Sequence, residues 1–542
     1  MTSKTNKTFL GTTTLVMAAF VLSRLLGLVR DSLMGSTFGA GAELDAYTAA
    51  ARVTETLYYL VAGGALASAF VPTFTAYLAR GERETAWQVA SAVINLVLLA
   101  TVVAALIAAL IAPWLVATVL APDYTPEVQA LTVSLLRWML ASTVIFGVSG
   151  LLMGILNAND HFTLPALAPS LYNLGILLGV VVLARRWGIH GVAAGTVIGA
   201  ALHLLVQLPA LRGIGGTYTP LLGLRRDAPA SRGVRNVGRL MLPRVLGLAI
   251  TQLNFWVNVN LGSRLGKAAG VEGVVSALRL GFSLMLLPQG VLAQAVATVL
   301  LPTFSAQAAR GEQKELRATW ASASQAIAYL TLPATVGLIA LSGPFVEMFF
   351  MRNAFDRQDV SMVAWALIWY AVGLVGHSLL EIVTRAFYAL HDTMTPVWVG
   401  GGAMLLNLVL SVAFAWGFER IGARYAAYQP WMPLGGLALA NSLATILETT
   451  TLSLLLRRRL AVEGPRSGSA WRTALGSAVM AAVLSVFLWL APTRNAWLLG
   501  GGGALLGLGS YLGVTLLLRS PEPRLAWAAI RKRRRSSTVR DV

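Results

Sequence analysis

"VINLVLLATVVAALIAALIAPWLVATVL", residues 93–120, runs for twenty-eight residues without a single charge. About 20 apolar residues in a helix cross the hydrocarbon core of a bilayer. Backbone hydrogen bonds must be satisfied inside the membrane, which leaves only helices or closed barrels. The run is continuously apolar rather than alternating, so the sequence predicts an all-α polytopic membrane protein. Composition agrees across the 542 residues: 56% are hydrophobic and only 12% charged, with a mean hydropathy of +0.69. A soluble chain averages about 25% charged residues. There is no cysteine, which excludes disulfides, thiolate nucleophiles and cysteine metal sites. Lys4 and Lys7 precede an apolar stretch in the manner of a signal peptide. Arg24 interrupts that stretch and no small-residue cleavage site follows, so the reading is a retained first helix.

Working outward, fourteen spans are expected, near 8–35, 44–71, 86–119, 128–156, 163–184, 189–211, 236–263, 272–301, 318–343, 360–389, 394–417, 433–456, 470–491 and 495–518. With the N-terminus inside, inside segments carry 26 of the 42 Lys and Arg residues and outside segments 9. That bias follows the positive-inside rule, and the even span number returns the C-terminus to the cytoplasmic side. Arg185 and Arg186 fall on the wrong side. Just upstream of the opening stretch stands "PTFTAYLARGE" (72–82), which returns as "PTFSAQAARGE" (302–312) with eight of eleven positions identical. The first follows the second span, and the second follows the eighth. A second pair, "ANDHFTLP" (158–165) and "ALHDTMTP" (389–396), follows the fourth and tenth spans at nearly the same offset. Spans 1–6 and 7–12 therefore read as parallel repeats, a design that encloses a central site in transporters. The expected domains are 1–213 (spans 1–6), 214–460 (a basic linker and spans 7–12), 461–518 (spans 13–14, outside the repeat) and a basic tail, 519–542. That tail, "RKRRRSSTVR" in part, is expected to lie on anionic lipid, each basic residue contributing about 1 kcal/mol.

Charged groups inside spans need a reason, since a buried arginine costs at least about 2.5 kcal/mol. "SRLLGLVRD" puts Arg24 and Asp31 seven residues apart on one helix face, with Arg30 pointing elsewhere. Arg52 and Glu55 lie in the second span, Arg244 opens the seventh, Arg279 lies in the eighth, and Glu381 and Arg385 stand in the tenth. The Arg52–Glu55 and Glu381–Arg385 spacings also suit plain structural pairs, and Arg30 and Arg244 suit snorkelling. The set is net positive, which fits a phosphate or pyrophosphate cargo gripped by guanidinium forks. Asn254, Asn258, Gln289, Gln294, His377, Asn407 and Asn441 are further polar groups within spans, read mainly as helix-packing hydrogen bonds. No phosphate-binding G-x-x-x-x-G-K loop, metal-spaced histidine pair or nucleophile elbow occurs, so the chain is not expected to be an enzyme. No cofactor and no nucleic-acid partner is expected.

On "SRLLGLVRD" (23–31), "FGAGAELDAY" (38–47), "GGALASAFVP" (63–72), "MLPRVLGLAITQLN" (241–254), "VATVLLPTFS" (296–305) and "RAFYALHDTMTP" (385–396), the chain resembles the MurJ (MviN) family of lipid II flippases. That family lies within the multidrug/oligosaccharidyl-lipid/polysaccharide exporter superfamily. The resemblance implies two six-helix lobes around a cationic cavity, last helices forming a groove for a lipid tail, and a bacterial inner-membrane location. It implies a polyprenyl-pyrophosphate disaccharide-pentapeptide as cargo, moved from inner to outer leaflet, with membrane lipids and cell-wall synthesis proteins as candidate partners. By resemblance Arg24, Arg30, Asp31 and Asp45 match family positions, and Arg52 and Arg279 complete the substrate grip. The sequence departs from the family at Tyr58, Tyr59 and Gly63, where charged second-helix residues are usual, and at Ser283, where an arginine is usual. Where some members bind sodium through carboxylates on the seventh and eleventh helices, this chain offers Asn258, Asn407 and Ser411, a polar set without the carboxylates. A cation-coupled small-molecule antiporter, a flippase for another polyprenyl-linked glycan and a non-transporting scaffold stay open. The energy source, membrane potential or a coupled ion, also stays open.

Overall fold

The computed structural model describes residues 3–61, 64–223, 230–425, 427–460, 470–491 and 495–520, and every regular element among them is helical. The tail from 521 onward, Gly63, and the side chains of Lys4, Lys7, Arg244 and Asn254 lie outside the described residues. By packing, the chain forms two compact units. The first comprises Met1–Ser276 with Arg352–Asp356, the second Ala277–Met351 with Arg357–Val542.

The first unit contains α1 (Ser3–Phe38), α2 (Ala42–Val61), α3 (Gly64–Ala79), α4 (Arg83–Leu115), α5 (Pro126–Ala158), α6 (Thr163–Leu178), the short α7 (Ala184–Trp187), α8 (Ile189–Leu205), the short α9 (Leu208–Gly213) and α10 (Ser231–Ala269). Helix α11 (Val274–Gln289) starts here and continues into the second unit. The second unit adds α12 (Ala295–Ala309), α13 (Gln313–Ala340), α14 (Ser342–Phe350), α15 (Arg357–Val372), α16 (Leu374–Ala389), α17 (Met394–Gly422), α18 (Leu434–Arg459), α19 (Ala470–Leu490) and α20 (Gly503–Leu517). The seventh expected span, on α10, thus packs with the first unit, so the packing units and the sequence repeat divide the chain at different points.

Ten helices among the described residues are long and apolar enough to cross a membrane, or eleven when α15 and α16, bent by 46° at Gly373, count as one span. The three other expected spans fall on α1, on α2 with α3, and on α10. Each of the three includes residues outside those described in full.

The repeat is written in backbone geometry. Gly81 and Gly311 both take positive φ, +78° and +70°, after the second and eighth expected spans. The amides around them bond alike: Gly81 to Leu78 and Glu82 to Tyr77, as Gly311 to Ala308 and Glu312 to Gln307. Asp160 (φ 60°) and His391 (φ 57°) are non-glycine residues in the same left-handed conformation, 231 positions apart. Again the hydrogen bonds match, with His161 donating to Leu156 O and Asp392 to Phe387 O.

Close approach of α6 and α8 depends on glycine. An added Cβ on Gly175 would lie 2.2 Å from Gly199 Cα, and one on Gly195 would lie 2.6 Å from Gly179 Cα. Small residues bring membrane helices into backbone contact, where dispersion and hydrogen bonding replace the missing hydrophobic drive. In the second unit, α19 and α20 dock on α13. Tyr511 Oη donates to Tyr329 O at 2.7 Å, and the Tyr329 and Thr515 hydroxyls are 2.9 Å apart.

Candidate functional site

Helices α1, α2, α6 and α10 bring most of the expected site residues into the first unit. On α2, Arg52 Nη1 donates to Glu55 at 2.8 Å across one helical turn, and its guanidinium sits 4.6 Å from the Phe255 ring centre of α10. Spacing i, i+3 on one helix face makes that pair, and cation–π contact fixes the guanidinium plane. Arg52 is largely covered, whereas the Glu55 side chain is 48% exposed. Tyr59, half-exposed one turn further on, lies within electrostatic reach of Glu55, Arg52 and Arg24. Arg24 of α1 and Arg52 of α2 thus both act electrostatically on Tyr59. Beside it, Tyr58, Phe146 and Tyr172 form an aromatic chain with ring centres 5.3 and 5.0 Å apart.

Arg30 corrects the expectation that it points away from Asp31. Its Nη2 and Nε donate to Asp31 Oδ1 at 3.0 and 3.2 Å, while Nη1 donates to Asn173 Oδ1 of α6 at 3.0 Å. Asn173 Nδ2 in turn donates to Ser23 O at 3.1 Å. The long guanidinium stem folds around the helix to an acceptor that backbone position alone would place on another face. The result is a clasp between α1 and α6 around a buried carboxylate, Asp31 being 2% exposed.

Asp45, in the first turn of α2, is buried and accepts backbone hydrogen bonds from Gly273 at 3.1 Å and Ser276 at 2.7 Å. These are the free amides that open α11, which a carboxylate satisfies well. Glu272 does the converse and accepts from Ala42 N at the start of α2, at 3.3 Å. Ala42 and Gly273 are 231 residues apart, so equivalent helix-start amides are capped by acids at non-equivalent positions of the repeat. The approach is close enough that a Cβ on Gly273 would collide with Ala40 O.

Arg279 belongs to the second unit, on α11, and is half-buried. Asn407 and Ser411, one turn apart on α17, are buried and hydrogen-bonded to each other at 3.2 Å. Asn258 lies on α10 of the first unit, its buried Oδ1 without a hydrogen-bond donor among the described residues. No cluster of three or more His, Asp or Glu able to hold a metal occurs among the described residues. On α16, Glu381 and Arg385 form the expected ion pair. His377 Nε2 lies 3.2 Å from Asn441 Oδ1 of α18, and the Gln289 amide approaches His377 O at 3.5 Å.

Sequence reasoning missed two groups. Glu448 sits within "TILETTT" (445–451) on α18, against Gly400 of α17; its polar neighbours were the available signal. Asp392, in the turn between α16 and α17, accepts from Thr395 N at 3.0 Å, Thr395 Oγ1 at 2.8 Å and Arg459 Nη1 at 2.6 Å. Partial burial is the largest single influence on its carboxyl and pushes its pKa up. The Thr395 and Arg459 hydrogen bonds and the Arg459 charge together outweigh it, leaving the group below the usual aspartate value.

The family model described as "Lipid II flippase MurJ" matches residues 34–502. The chain belongs to the MurJ family. Relatives include the Burkholderia cenocepacia lipid II flippase MurJ, 30% identical over 81% of this chain and 82% of that protein. The probable MurJ of Vibrio cholerae is 29% identical over 93% of this chain and 95% of its own. A solved structure titled "Lipid II flippase MurJ, inward closed conformation" superposes with a TM-score of 0.76 at 26% identity, covering 93% of this chain and 98% of that one. An inward-facing multidrug resistance MATE family transporter superposes at 0.64 over 81% of this chain and 94% of its own, at 20% identity, a likeness of fold alone. The MurJ description is of a transporter and not an enzyme.

Proposed function

We propose that the chain is a flippase that moves a polyprenyl-pyrophosphate-linked peptidoglycan precursor, lipid II, from the inner to the outer leaflet of the bacterial cytoplasmic membrane. The observation that carries this reading is the family match across 34–502; beside it, Arg24 and Arg52 both act electrostatically on Tyr59. Guanidinium groups suit pyrophosphate oxygens, and an exposed Glu55 and Tyr59 beside them suit a hydroxyl-rich headgroup. Within the second unit, Arg279 on α11 is a cationic candidate of the same chemistry. The chain works by alternating access, with fourteen spans, both termini cytoplasmic, and the prenyl tail held along α19 and α20. The paired caps of Asp45 and Glu272 act as a latch that holds the starts of α2 and α11 together in one state and must part in the other. Ion pairing of Glu381 with Arg385 speaks against that carboxylate as the free midplane acid of a cation antiporter.

Complementation tests the proposal. A bacterium depleted of its own lipid II flippase receives the parent chain or Arg24→Ala, and outer-leaflet lipid II is followed. Rescue by the parent and loss with Arg24→Ala is expected. Failure of a well-inserted parent overturns the cargo assignment, and rescue by both chains overturns the role of Arg24.

A further inference from the structure

We propose that Glu448 is a proton-binding site within the second unit, taking up and releasing one proton as the transporter cycles. The site stands on the second unit's own geometry; its coupling to transport rests on the flippase reading above.

Glu448 is the fifteenth of 26 residues in α18 (Leu434–Arg459), itself apolar enough to cross the membrane. At 1.5 Å per residue it lies roughly 21 and 16 Å from the two helix ends, beyond the reach of a glutamate side chain. It therefore cannot snorkel, unlike a lysine or arginine. Among the described residues it makes no hydrogen bond or ion pair, in contrast to Glu381, whose charge Arg385 balances. Across from it, α17 presents Gly400, where an added Cβ would lie 3.0 Å from Glu448 Oε1. A carboxylate oxygen set against bare glycine meets neither a donor nor a cation. An ionisable group in such a place marks a functional site by default.

The charged and titratable groups around it are few. From α16 come His377, Glu381, Arg385 and Tyr388; Tyr388 lies within electrostatic reach of Arg385, Glu381 and Glu448. His377 is engaged with Asn441, one face along α18. From α15 comes Tyr370, whose carbonyl receives the Ser442 hydroxyl, together with Arg357 and Asp359 at that helix's start. The charges of α17, Glu419 and Arg420, sit near its far end, and the α18 arginines 457–459 sit at its last turn. Among the described residues no neighbour supplies a converging set of oxygens, which a hard metal cation needs in six or more directions. A proton needs one. Uptake forms an O–H bond from a carboxylate lone pair and leaves a neutral carboxylic acid; release returns the pair and the charge.

Infrared difference spectra of the full chain in proteoliposomes, recorded between acidic and alkaline pH, test this directly. A protonated-carboxyl C=O band that titrates in the parent is expected to vanish in Glu448→Gln and to move in frequency in Glu448→Asp. A titrating band unchanged in both variants, or no titrating band in the parent, overturns the proposal. Binding of radioactive sodium that depends on Glu448 and is indifferent to pH also overturns it, in favour of a metal cation. In the same vesicles, an imposed proton gradient is expected to raise lipid II translocation by the parent but leave Glu448→Gln at its gradient-free rate. Equal stimulation of both chains overturns the coupling. Absence of any translocation with the band intact sinks the flippase reading instead and leaves the proton site standing.

Discussion

Asp45 shows how much one carboxylate can hold. Its two acceptor bonds, from Gly273 and Ser276, are charge-assisted and buried, the class worth about 1.5–3 kcal/mol each. Asp45→Ala leaves both amides without an acceptor and is expected to destabilise the protein by about 3 kcal/mol. Asp45→Asn keeps one acceptor oxygen and is expected to cost about 1 kcal/mol. Thermal unfolding in detergent of the two variants beside the parent reads the difference, and equal losses would contradict the charge-assisted account. None of this was legible in the sequence. The donors are backbone amides more than 220 residues away, and an amide leaves no mark on residue type. Arg24 and Arg52 were legible, because charge in an apolar run is conspicuous. Arg30 was read only by helix position, and its stem reaches where helix position does not point. Glu448 was legible by the same rule, as a charge among the threonines of an apolar run, and went unnoticed.

At the scale of elements, the α6–α8 crossing and the turn after α16 make different demands. Overpacking a tight contact costs typically about 1–3 kcal/mol. Gly175→Ala places a methyl within 2.2 Å of the Gly199 backbone, so it is expected to reach the top of that range. Gly213→Ala meets nothing within 4 Å and is expected to be nearly silent, which makes it the matched control in the same unfolding assay. In the turn, Asp392 has a folded-state pKa below its unfolded value of about 4. Its contribution is therefore complete above that unfolded value and disappears as pH falls through the lower, folded one. The parent is expected to lose stability over that acidic window relative to Arg459→Ala, which has less of the contribution to lose. Parallel pH dependences of the two chains would show that the Arg459 contact does not matter. Helix identity was readable from apolar length, including the charge-bearing α1, α2 and α10. The glycine register of α6 and α8 was on the page too, as "GILLG" and "GVAAGTVIG" (175–179, 191–199), but its meaning needs the facing helix.

For the molecule as a whole, duplication was the most legible property, because two loop motifs kept both residue identity and offset. The structure extends it to a pair that shares no residue type, Asp160 with His391, and to a further glycine pair, Gly39 with Gly270. If the repeat is energetic as well as geometric, equivalent substitutions carry equivalent penalties. Forcing a side chain into the left-handed region costs about 1–2 kcal/mol. Gly81→Ala and Gly311→Ala are each expected to lose about 1 kcal/mol, measured as matched shifts in thermal unfolding. A large loss for one and none for the other would show that only one turn still bears structural weight. What the sequence could not display was the packing boundary, since α10 groups by contact with helices that precede it rather than with those of its own repeat.

The crossed caps bear on how the two halves can be exchanged. Position 45 keeps an acid where its counterpart, Ser276, has none, and Glu272 keeps one where its counterpart, Gly41, has none. Each half thus donates what the other lacks, in different places. A chimera carrying the first half twice would offer an aspartate to both helix starts and a glutamate to neither. One carrying the second half twice would do the reverse. The halves have become complementary rather than interchangeable, so the descendants of one duplicated ancestor can no longer stand in for each other.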